Sequence, residues 1–259
     1  MNYFLKIYIF GLLFIGSSLL NVVKAAQSDQ ATEVSVAVAA NFAAPAQKIA
    51  AAFEQDTGYK ALLAVGSTGK FYTQIKNGAP FQILLSADQE TPQRLEQEGL
   101  IVAGTRFTYS IGKLVLWSKQ IELVDERGEI LKKGNFEHIA IADPKLAPYG
   151  LAAMQTISKL GLDKQILSKA VWGENISQTF LYVDSEAASL GFVALSQVFK
   201  DGHITQGSAW IVPTSMYANI KQDAVLLKTG KNVPAAELFM KYLKSKKALE
   251  IIKSYGYSF

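Results

Sequence analysis

Alternating and continuous apolar runs along the chain predict strands and helices that follow one another. The run "EVSVAVA" (33–39) places β-branched residues at alternate positions and predicts a strand, whereas apolar residues in 43–56 recur every three or four positions and predict a helix. Further strands are predicted at 60–66, 81–87, 109–119, 138–143, 189–197, 209–213 and 223–228, and further helices at 67–78, 91–100, 151–162 and 233–253. This alternation is typical of α/β proteins with mainly parallel sheets.

The lengths of these segments predict two lobes. One lobe consists of residues 26–110 completed by 221–259, and the other consists of residues 111–220. The long strand at 109–119 and the run 223–228 lie between the two lobes and are expected to form the hinge.

The N-terminal segment, residues 1–25, has the features of a cleaved secretory signal peptide. Lys6 precedes a long apolar run, and small residues at Val23 and Ala25 suit cleavage after Ala25. A membrane anchor is the alternative, but glycine, serine and asparagine interrupt the run and a polar stretch follows it at once. We therefore expect a periplasmic protein.

Composition excludes several classes of function. The chain has no cysteine, which excludes thiol catalysis, iron–sulfur clusters and a cysteine-linked lipid anchor. Its net charge of +4 is modest, and the basic residues are interspersed with acidic ones rather than forming a stripe, so nucleic acid is not an expected partner.

Three predicted strand-to-helix junctions consist of small and neutral residues. They are "AANFAA" (39–44), "VGSTGKFY" (65–72) and "KLAPYGLAA" (145–153). In a parallel sheet such junctions lie at the carboxyl ends of the strands, where helix N–H groups and the helix dipole favour an anion. Because the available donors are hydroxyl, amide and backbone N–H groups, they favour a fully deprotonated oxyanion that brings no proton of its own.

Each junction also has a purely structural interpretation. Asn41 is a common type of helix cap, and "APYG" is a common proline turn. The sequence "GSTGK" lacks the spacing of a Walker phosphate loop, so it is either a helix start between glycines or an anion site.

Signals of catalysis are weak. The two histidines, His138 and His203, lie at a strand start and in a turn, and the chain contains neither a G-x-S-x-G nor an H-E-x-x-H motif. Asp88 and Asp143 precede a helix and a proline turn, where a capping role is expected. The chain is therefore predicted not to be an enzyme.

Several longer motifs add a resemblance to a known family. "AANF", "GSTGKFYTQIKNGAP" with "SADQ" after it, "RFTYSIGKLVLWS", "IADPKLAPYGLAA", "SLGFVALSQ" and "LEIIKSYGY" stand in the order and spacing of that family. Over nearly all of the sequence after residue 25, the chain resembles the periplasmic molybdate-binding proteins of ABC transporters. The resemblance implies a two-lobed class II binding protein that holds molybdate or tungstate in its cleft by neutral hydrogen bonds alone.

Positions matched to the family imply a set of ligand-binding residues. They are Ala40, Asn41, Ser67, Thr68, Tyr149 and Ile176. Positions 149 and 176 are expected to contribute backbone N–H groups, while Ser67 and Thr68 are alternative hydroxyl donors. The resemblance also implies a monomer that docks on a membrane permease, needs no cofactor and binds the metal only as its oxyanion.

The sequence departs from the family pattern at three positions. Asn41 takes the place of a serine found in many members, Ala194 stands where many members have a ligand tyrosine, and Gln82 replaces an aspartate. These departures leave the donor set and the preference between molybdate and tungstate open. A binding protein for another oxyanion, such as sulfate or phosphate, is the alternative, and a protein-interaction module using Phe42, Phe71, Tyr72 or Tyr149 is a further one.

Overall fold

The computed structural model describes residues 32–259, which form two five-stranded sheets and a two-stranded hairpin. The strands are β1 (Glu33–Ala39), β2 (Lys60–Gly66), β3 (Ile83–Leu85), β4 (Phe107–Gly112), β5 (Leu114–Ser118), β6 (Ile139–Ala142), β7 (Ala170–Gly173), β8 (Leu190–Ala194), β9 (Phe199–Lys200), β10 (His203–Ile204), β11 (Ser208–Ile211) and β12 (Ile220–Leu226). The α-helices are α1 (Ala43–Thr57), α2 (Thr68–Lys76), α3 (Glu90–Gln97), α4 (Ile130–Lys133), α5 (Pro148–Lys159), α6 (Asp163–Leu167), α7 (Ile176–Asp184), α8 (Leu195–Val198), α9 (Pro234–Tyr242) and α10 (Lys246–Ser254). Short 3-10 turns cover Ala40–Phe42, Thr214–Met216 and Lys228–Gly230.

Each large sheet combines parallel and antiparallel pairs. The first sheet has the strand order β2-β1-β3-β12-β4, and the second has the order β11-β5-β8-β6-β7. Within each sheet two neighbouring pairs are parallel and two are antiparallel. The predicted α/β class is confirmed, but the sheets are mixed rather than mainly parallel.

We call the first sheet with its helices the N/C lobe and the second sheet with its helices the central lobe. The chain passes from the N/C lobe to the central lobe at Lys113, between β4 and β5, and returns between β11 and β12. The predicted domain boundaries, after residues 110 and 220, lie close to these two crossings. Within residues 32–259, every helix is too short or too polar to span a bilayer.

Helices cover both faces of each sheet, which explains why the central strands are apolar throughout. In β1, Val36, Ala37 and Val38 are fully buried although their side chains alternate between the faces. One core of the N/C lobe lies under α1, α9 and α10, and another lies under α2 and α3. The central lobe is packed in the same way, with α5 on one face of its sheet and α7 on the other.

Three predicted elements are interrupted. The strand expected at 109–119 breaks at Lys113, and its halves belong to different sheets. The helix expected at 233–253 divides into α9 and α10, because the side chain of Ser245 caps a new helix there by accepting from the N–H of Ala248 at 3.2 Å. The strand expected at 189–197 ends at Ala194, where the short helix α8 begins.

Other predicted elements differ in extent or were missed. The strand expected at 81–87 is reduced to β3, whereas β1 and β2 have the predicted bounds. The elements β7 and α7 were not predicted. The predicted signal peptide lies outside the described residues.

Candidate anion-binding site

The starts of four helices meet between the two lobes. The turn Ala40–Phe42, which leads into α1, and the helix α2 follow β1 and β2 of the N/C lobe, while α5 and α7 follow β6 and β7 of the central lobe. Their first residues line one small cavity. All six residues predicted from the sequence lie in its wall, together with Ala39, Gly66, Ala87, Ala147, Pro148 and Asn175.

The cavity is electropositive without containing a positive side chain. Each helix N-terminus carries about half a positive charge and N–H groups that have no acceptor within the helix. Among the described residues that line the cavity, none is ionisable at neutral pH. Such a site attracts an anion but has no carboxylate or imidazole to accept a proton from that anion, so it favours a fully deprotonated one.

Ser67 and Thr68 offer hydroxyl groups in this wall. The side chain of Ser67 is buried, and its Oγ has no hydrogen-bond partner within the described part of the protein. Thr68 Oγ1 accepts from the N–H of Ala87 at 3.1 Å, which fixes the oxygen and leaves its proton available to a ligand. An unpaired buried hydroxyl costs about 1–3 kcal/mol, so the Ser67 Oγ is the strongest local indication of a ligand.

The side-chain amide of Asn41 is committed elsewhere. Its Nδ2 donates to Oε1 of Gln222 and to the Tyr257 hydroxyl, each at 2.9 Å. The sequence suggested this amide as a donor to the ligand, but both of its N–H groups are already used. Because Asn41 lies in the first turn of a helix, its backbone N–H is the donor that remains.

The α5 start places a backbone N–H of Tyr149 at the cavity. The carbonyl of Ala147 accepts from the N–H groups of Gly150 and Leu151, at 2.9 and 3.2 Å. The N–H of Tyr149, one residue earlier in the first turn, has no acceptor within the helix. Pro148 is the first helical residue and has no N–H to satisfy. This local geometry fits the expected role of Tyr149.

The start of α7 likewise leaves the backbone N–H of Ile176 available at the cavity. The side chain of Asn175 caps this helix by accepting from the N–H groups of Ser177 and Gln178, at 2.9 and 3.0 Å. The cap leaves the N–H of Ile176 unused by the helix. Asn175 was missed in the sequence, although an Asn three residues before Gln178 is a typical helix-start signal.

A buried polar network lies behind the site. Gln222 on β12 accepts from Asn41 and donates from Nε2 to the Tyr149 hydroxyl at 3.2 Å, and the hydroxyls of Tyr109 and Tyr257 belong to the same network. Burial raises the pKa of Tyr109 and Tyr149 well above the usual value, and it raises the pKa of Tyr257 to about 12. The network therefore stays uncharged at neutral pH.

Several contacts bridge the lobes around the cavity. The N–H of Gly69 donates to the carbonyl of Leu146 at 3.0 Å, and Lys70 forms an ion pair with Glu174 at 2.6 Å. Nearer the crossing at Lys113, Ser196 Oγ donates to the carbonyl of Asn41 at 2.7 Å. These contacts describe a cleft whose two walls are closed on each other.

Ala194 and Gln82, two of the departures from the family pattern, have structural explanations. Ala194 is buried and lies outside the cavity wall, and its N–H donates to Oε1 of Gln197 at 2.9 Å. Gln82 accepts through Oε1 from the N–H of Ser35 at 2.8 Å, so it holds β1 rather than a ligand. Asp88 and Asp143 accept from backbone N–H groups at the starts of the following turns, as expected for capping residues.

A bare metal ion has no evident site. Across residues 32–259, no group of three or more His, Cys, Asp or Glu side chains is placed to hold one. The chemistry of the cavity is that of hydrogen-bond donors around an anion.

Comparisons with known proteins agree with this geometry. Residues 34–258 match the family model of bacterial extracellular solute-binding proteins. The chain is 56% identical over 228 residues to the molybdate-binding protein ModA of Azotobacter vinelandii, which covers 88% of this chain and 90% of the relative. It is 50% identical to the molybdate-binding protein ModA of Rhodobacter capsulatus, with 88% of each chain covered.

A solved structure is similar over the same region. The periplasmic molybdate-binding protein of Azotobacter vinelandii superposes with a TM-score of 0.85 at 40% identity, covering 87% of this chain and 99% of the solved one. The residues that the family model covers, 34–258, include all four helix starts at the cavity.

Proposed function

We propose a function from the premise that this chain belongs to the bacterial extracellular solute-binding proteins and, within them, to the molybdate-binding proteins. The chain captures molybdate, and tungstate with it, in the cavity between the lobes and delivers the anion to an ABC permease. Its relatives are substrate-binding transport proteins, and we infer that this chain likewise catalyses no reaction.

The observation that carries this proposal is the unpaired Ser67 hydroxyl in a cavity where four helix starts converge. The proposed donors are the hydroxyls of Ser67 and Thr68 and the backbone N–H groups of Asn41, Tyr149 and Ile176. Ala40 stands beside Asn41 in the same turn and also lines the cavity, so its backbone N–H belongs to the same helix start. Donors drawn from both lobes surround a tetrahedral anion only when the lobes are closed.

Selection between oxyanions follows from the rigidity of the donors. The proposed donors lie at four helix starts that are anchored to the sheets, so their spacing cannot adjust freely to a smaller anion. An anion with shorter bonds leaves some donors unpaired, at about 1–3 kcal/mol for each. Two such mismatches give about 2–6 kcal/mol, which is a discrimination of about 30-fold to 10⁴-fold.

The cellular setting is proposed from the same relatives. The solved relative from Azotobacter vinelandii is named a periplasmic molybdate-binding protein, and residues 1–25 of this chain have the composition of a signal peptide. We infer that the mature protein begins after Ala25, acts in the periplasm as a monomer and needs no cofactor.

The test is isothermal titration of the protein from residue 26 onwards with molybdate, tungstate, sulfate and phosphate. Tight one-to-one binding of molybdate and tungstate, without comparable binding of sulfate or phosphate, is the expected result. Equal binding of sulfate or phosphate would assign the protein to another oxyanion. No heat with any of the four would end the proposal.

A further inference from the structure

Gln222 joins the two lobes directly behind the cavity. It lies on β12 of the N/C lobe and is fully buried. Its Oε1 accepts from Asn41 Nδ2 at 2.9 Å, and its Nε2 donates to the Tyr149 hydroxyl at 3.2 Å. One side-chain amide thus connects a cavity-lining residue of the N/C lobe with a cavity-lining residue of the central lobe.

A glycine at the crossing between the lobes makes room for this connection. Gly112 ends β4, directly before the chain crosses at Lys113. A Cβ atom at position 112 would lie 2.0 Å from the Tyr149 hydroxyl oxygen and 2.6 Å from Gln222 Nε2. Real Cβ contacts are not this short, so any larger residue would displace one or both side chains. The hinge backbone is therefore packed against the contact between Gln222 and Tyr149.

The connection acts through geometry rather than charge. Gln222, Asn41 and the Tyr149 hydroxyl are all uncharged at neutral pH, and the Tyr109 hydroxyl lies 3.0 Å from the same Gln222 oxygen. A fully satisfied buried network of this kind holds its members in one arrangement, because any displacement leaves a buried donor or acceptor unpaired. Moving Tyr149 relative to Asn41 therefore requires breaking at least one bond to Gln222.

We propose that Gln222 is a positioning residue for the anion site. It sets the separation between the Asn41 turn and the start of α5 in the closed protein, and so determines the size of the anion that the closed site fits. The inference rests on the proposed function, since it concerns the same site and the same class of ligand.

The consequence concerns selectivity as well as affinity. Loss of the connection lets the two walls take up different separations, which weakens the fit to a large oxyanion more than the fit to a small one. The bond between Gln222 and Tyr149 forms as the lobes close. Loss of this bond should therefore speed dissociation of the anion and leave its association nearly unchanged.

The experiment uses two single variants that break the same bond from opposite sides. Gln222→Met keeps the side-chain length but removes the amide, and Tyr149→Phe removes the hydroxyl while keeping the backbone N–H. We expect each to lower molybdate affinity about tenfold, through faster dissociation in stopped-flow measurements. Sulfate affinity, measured by competition against molybdate, should fall less than molybdate affinity. The ratio of molybdate affinity to sulfate affinity should therefore decrease.

The double variant separates positioning from general destabilisation. If the two residues act through one bond, Gln222→Met with Tyr149→Phe should bind no more weakly than the weaker single variant. Ser118→Ala is the matched control, because it removes a buried hydrogen bond of the central lobe, from Ser118 Oγ to the carbonyl of Ser189 at 2.6 Å. It should leave the ratio of affinities unchanged.

Gly112→Ala provides an independent variant if Gln222→Met does not fold. This variant keeps every hydrogen-bonding group, but the added methyl group displaces Tyr149, Gln222 or both. We expect the same decrease in the ratio of molybdate affinity to sulfate affinity. Additive effects in the double variant, or an unchanged ratio of affinities in all variants, would overturn the positioning role while leaving molybdate binding intact. Failure of the unaltered protein to bind any of the four oxyanions would overturn both proposals.

Discussion

At the scale of single residues, the site is defined by which polar groups are already satisfied inside the protein. Asn41 and Ser67 are both buried in the cavity wall, and the sequence gives no reason to rank one side chain above the other. The amide of Asn41 has partners within the protein, whereas the hydroxyl of Ser67 has none among the described residues. The side chain available to an anion is therefore that of Ser67.

Ser67→Ala should have opposite effects on stability and binding. The change removes an unpaired buried hydroxyl, so the free energy of unfolding without ligand should stay the same or rise. Molybdate should bind at least tenfold more weakly, because one donor is lost. Denaturant unfolding and isothermal titration measure the two effects.

Ser110→Ala is the control for this prediction. Ser110 carries the other unpaired buried hydroxyl in residues 32–259, but it lies outside the cavity wall. Its loss should leave molybdate affinity unchanged. Equal binding by the Ser67 and Ser110 variants would contradict the assignment of Ser67 as a ligand donor.

Molybdate affinity should be flat between about pH 6 and 9. The described residues of the cavity wall include no group that titrates in that range, and the raised pKa values of Tyr109, Tyr149 and Tyr257 keep their hydroxyls neutral up to and beyond the usual pKa of a tyrosine, about 10. Negative charge would develop behind the anion only above that range, and affinity would then fall. A titration series at fixed ionic strength checks this, and a tenfold change per pH unit would reveal an ionisable group in the site.

At the scale of elements, the site is built from helix starts rather than from side chains of one kind. Three of the four helices have no side-chain cap at the cavity, so their first N–H groups are free of local acceptors. The exception is α7, where Asn175 takes two N–H groups and leaves that of Ile176. Its cap therefore fixes both the helix and the direction of the remaining donor.

Asn175→Ala should weaken both stability and binding. Loss of a helix cap costs about 1 kcal/mol of unfolding free energy. Because the cap also orients the start of α7 at the cavity, molybdate affinity should fall several-fold. Thermal unfolding and titration together measure the two losses.

Ser245→Ala offers a matched comparison, since Ser245 caps α10 through its side chain and lies outside the cavity wall. It should lose a similar amount of stability and bind molybdate normally. A parallel loss of binding in both variants would mean that the effect comes from general destabilisation.

At the scale of the whole molecule, function depends on bringing the two lobes together. The backbones of the two lobes contact each other at Gly69, whose N–H donates to the carbonyl of Leu146 at 3.0 Å. A Cβ atom at position 69 would lie 3.2 Å from Leu146 Cα, which is tighter than nine in ten real Cβ contacts. A side chain at this position therefore requires Leu146 to shift by a few tenths of an ångström in the closed protein.

Gly69→Ala should favour the open protein. Alanine suits the first turn of α2 at least as well as glycine, so ligand-free stability should not fall. In the closed form the added methyl group crowds Leu146, and molybdate should dissociate several-fold faster with little change in association. Small-angle scattering with and without molybdate should show a smaller compaction than in the unaltered protein.

Lys70→Ala tests the neighbouring contact at the same edge of the cleft. The pair between Lys70 and Glu174 is about half exposed on both sides, and exposed pairs contribute about 0–1 kcal/mol. Loss of this pair should change the rate of molybdate dissociation less than about fivefold.

The Gly69→Ala variant decides whether the backbone contact matters. Normal compaction on binding and a normal rate of molybdate dissociation in that variant would contradict the role of the contact between Gly69 and Leu146.

Local sequence determined most of the elements and three of the four helix starts at the cavity, the exception being α7. The bounds of β1 and β2 follow from apolar patterns within a few residues, whereas the six site positions, all of which lie in the cavity wall, were implied by the family resemblance. The missed cap at Asn175 also has a local signal, because a cap and its helix are neighbours in the chain. Anion binding at these junctions was thus an inference that short-range chemistry could support.

Tertiary structure alone decided where the chain divides and which donors are free. The run 109–119 reads as one strand, but it breaks at Lys113 because its two halves pair with different strands far away in sequence. In the sequence, the side chain of Asn41 is a candidate donor to the anion. In the folded protein its amide donates to Gln222, 181 positions further along the chain. Hydrogen bonds between distant residues leave no periodicity in the sequence, so only the folded chain shows which polar groups remain available to an anion.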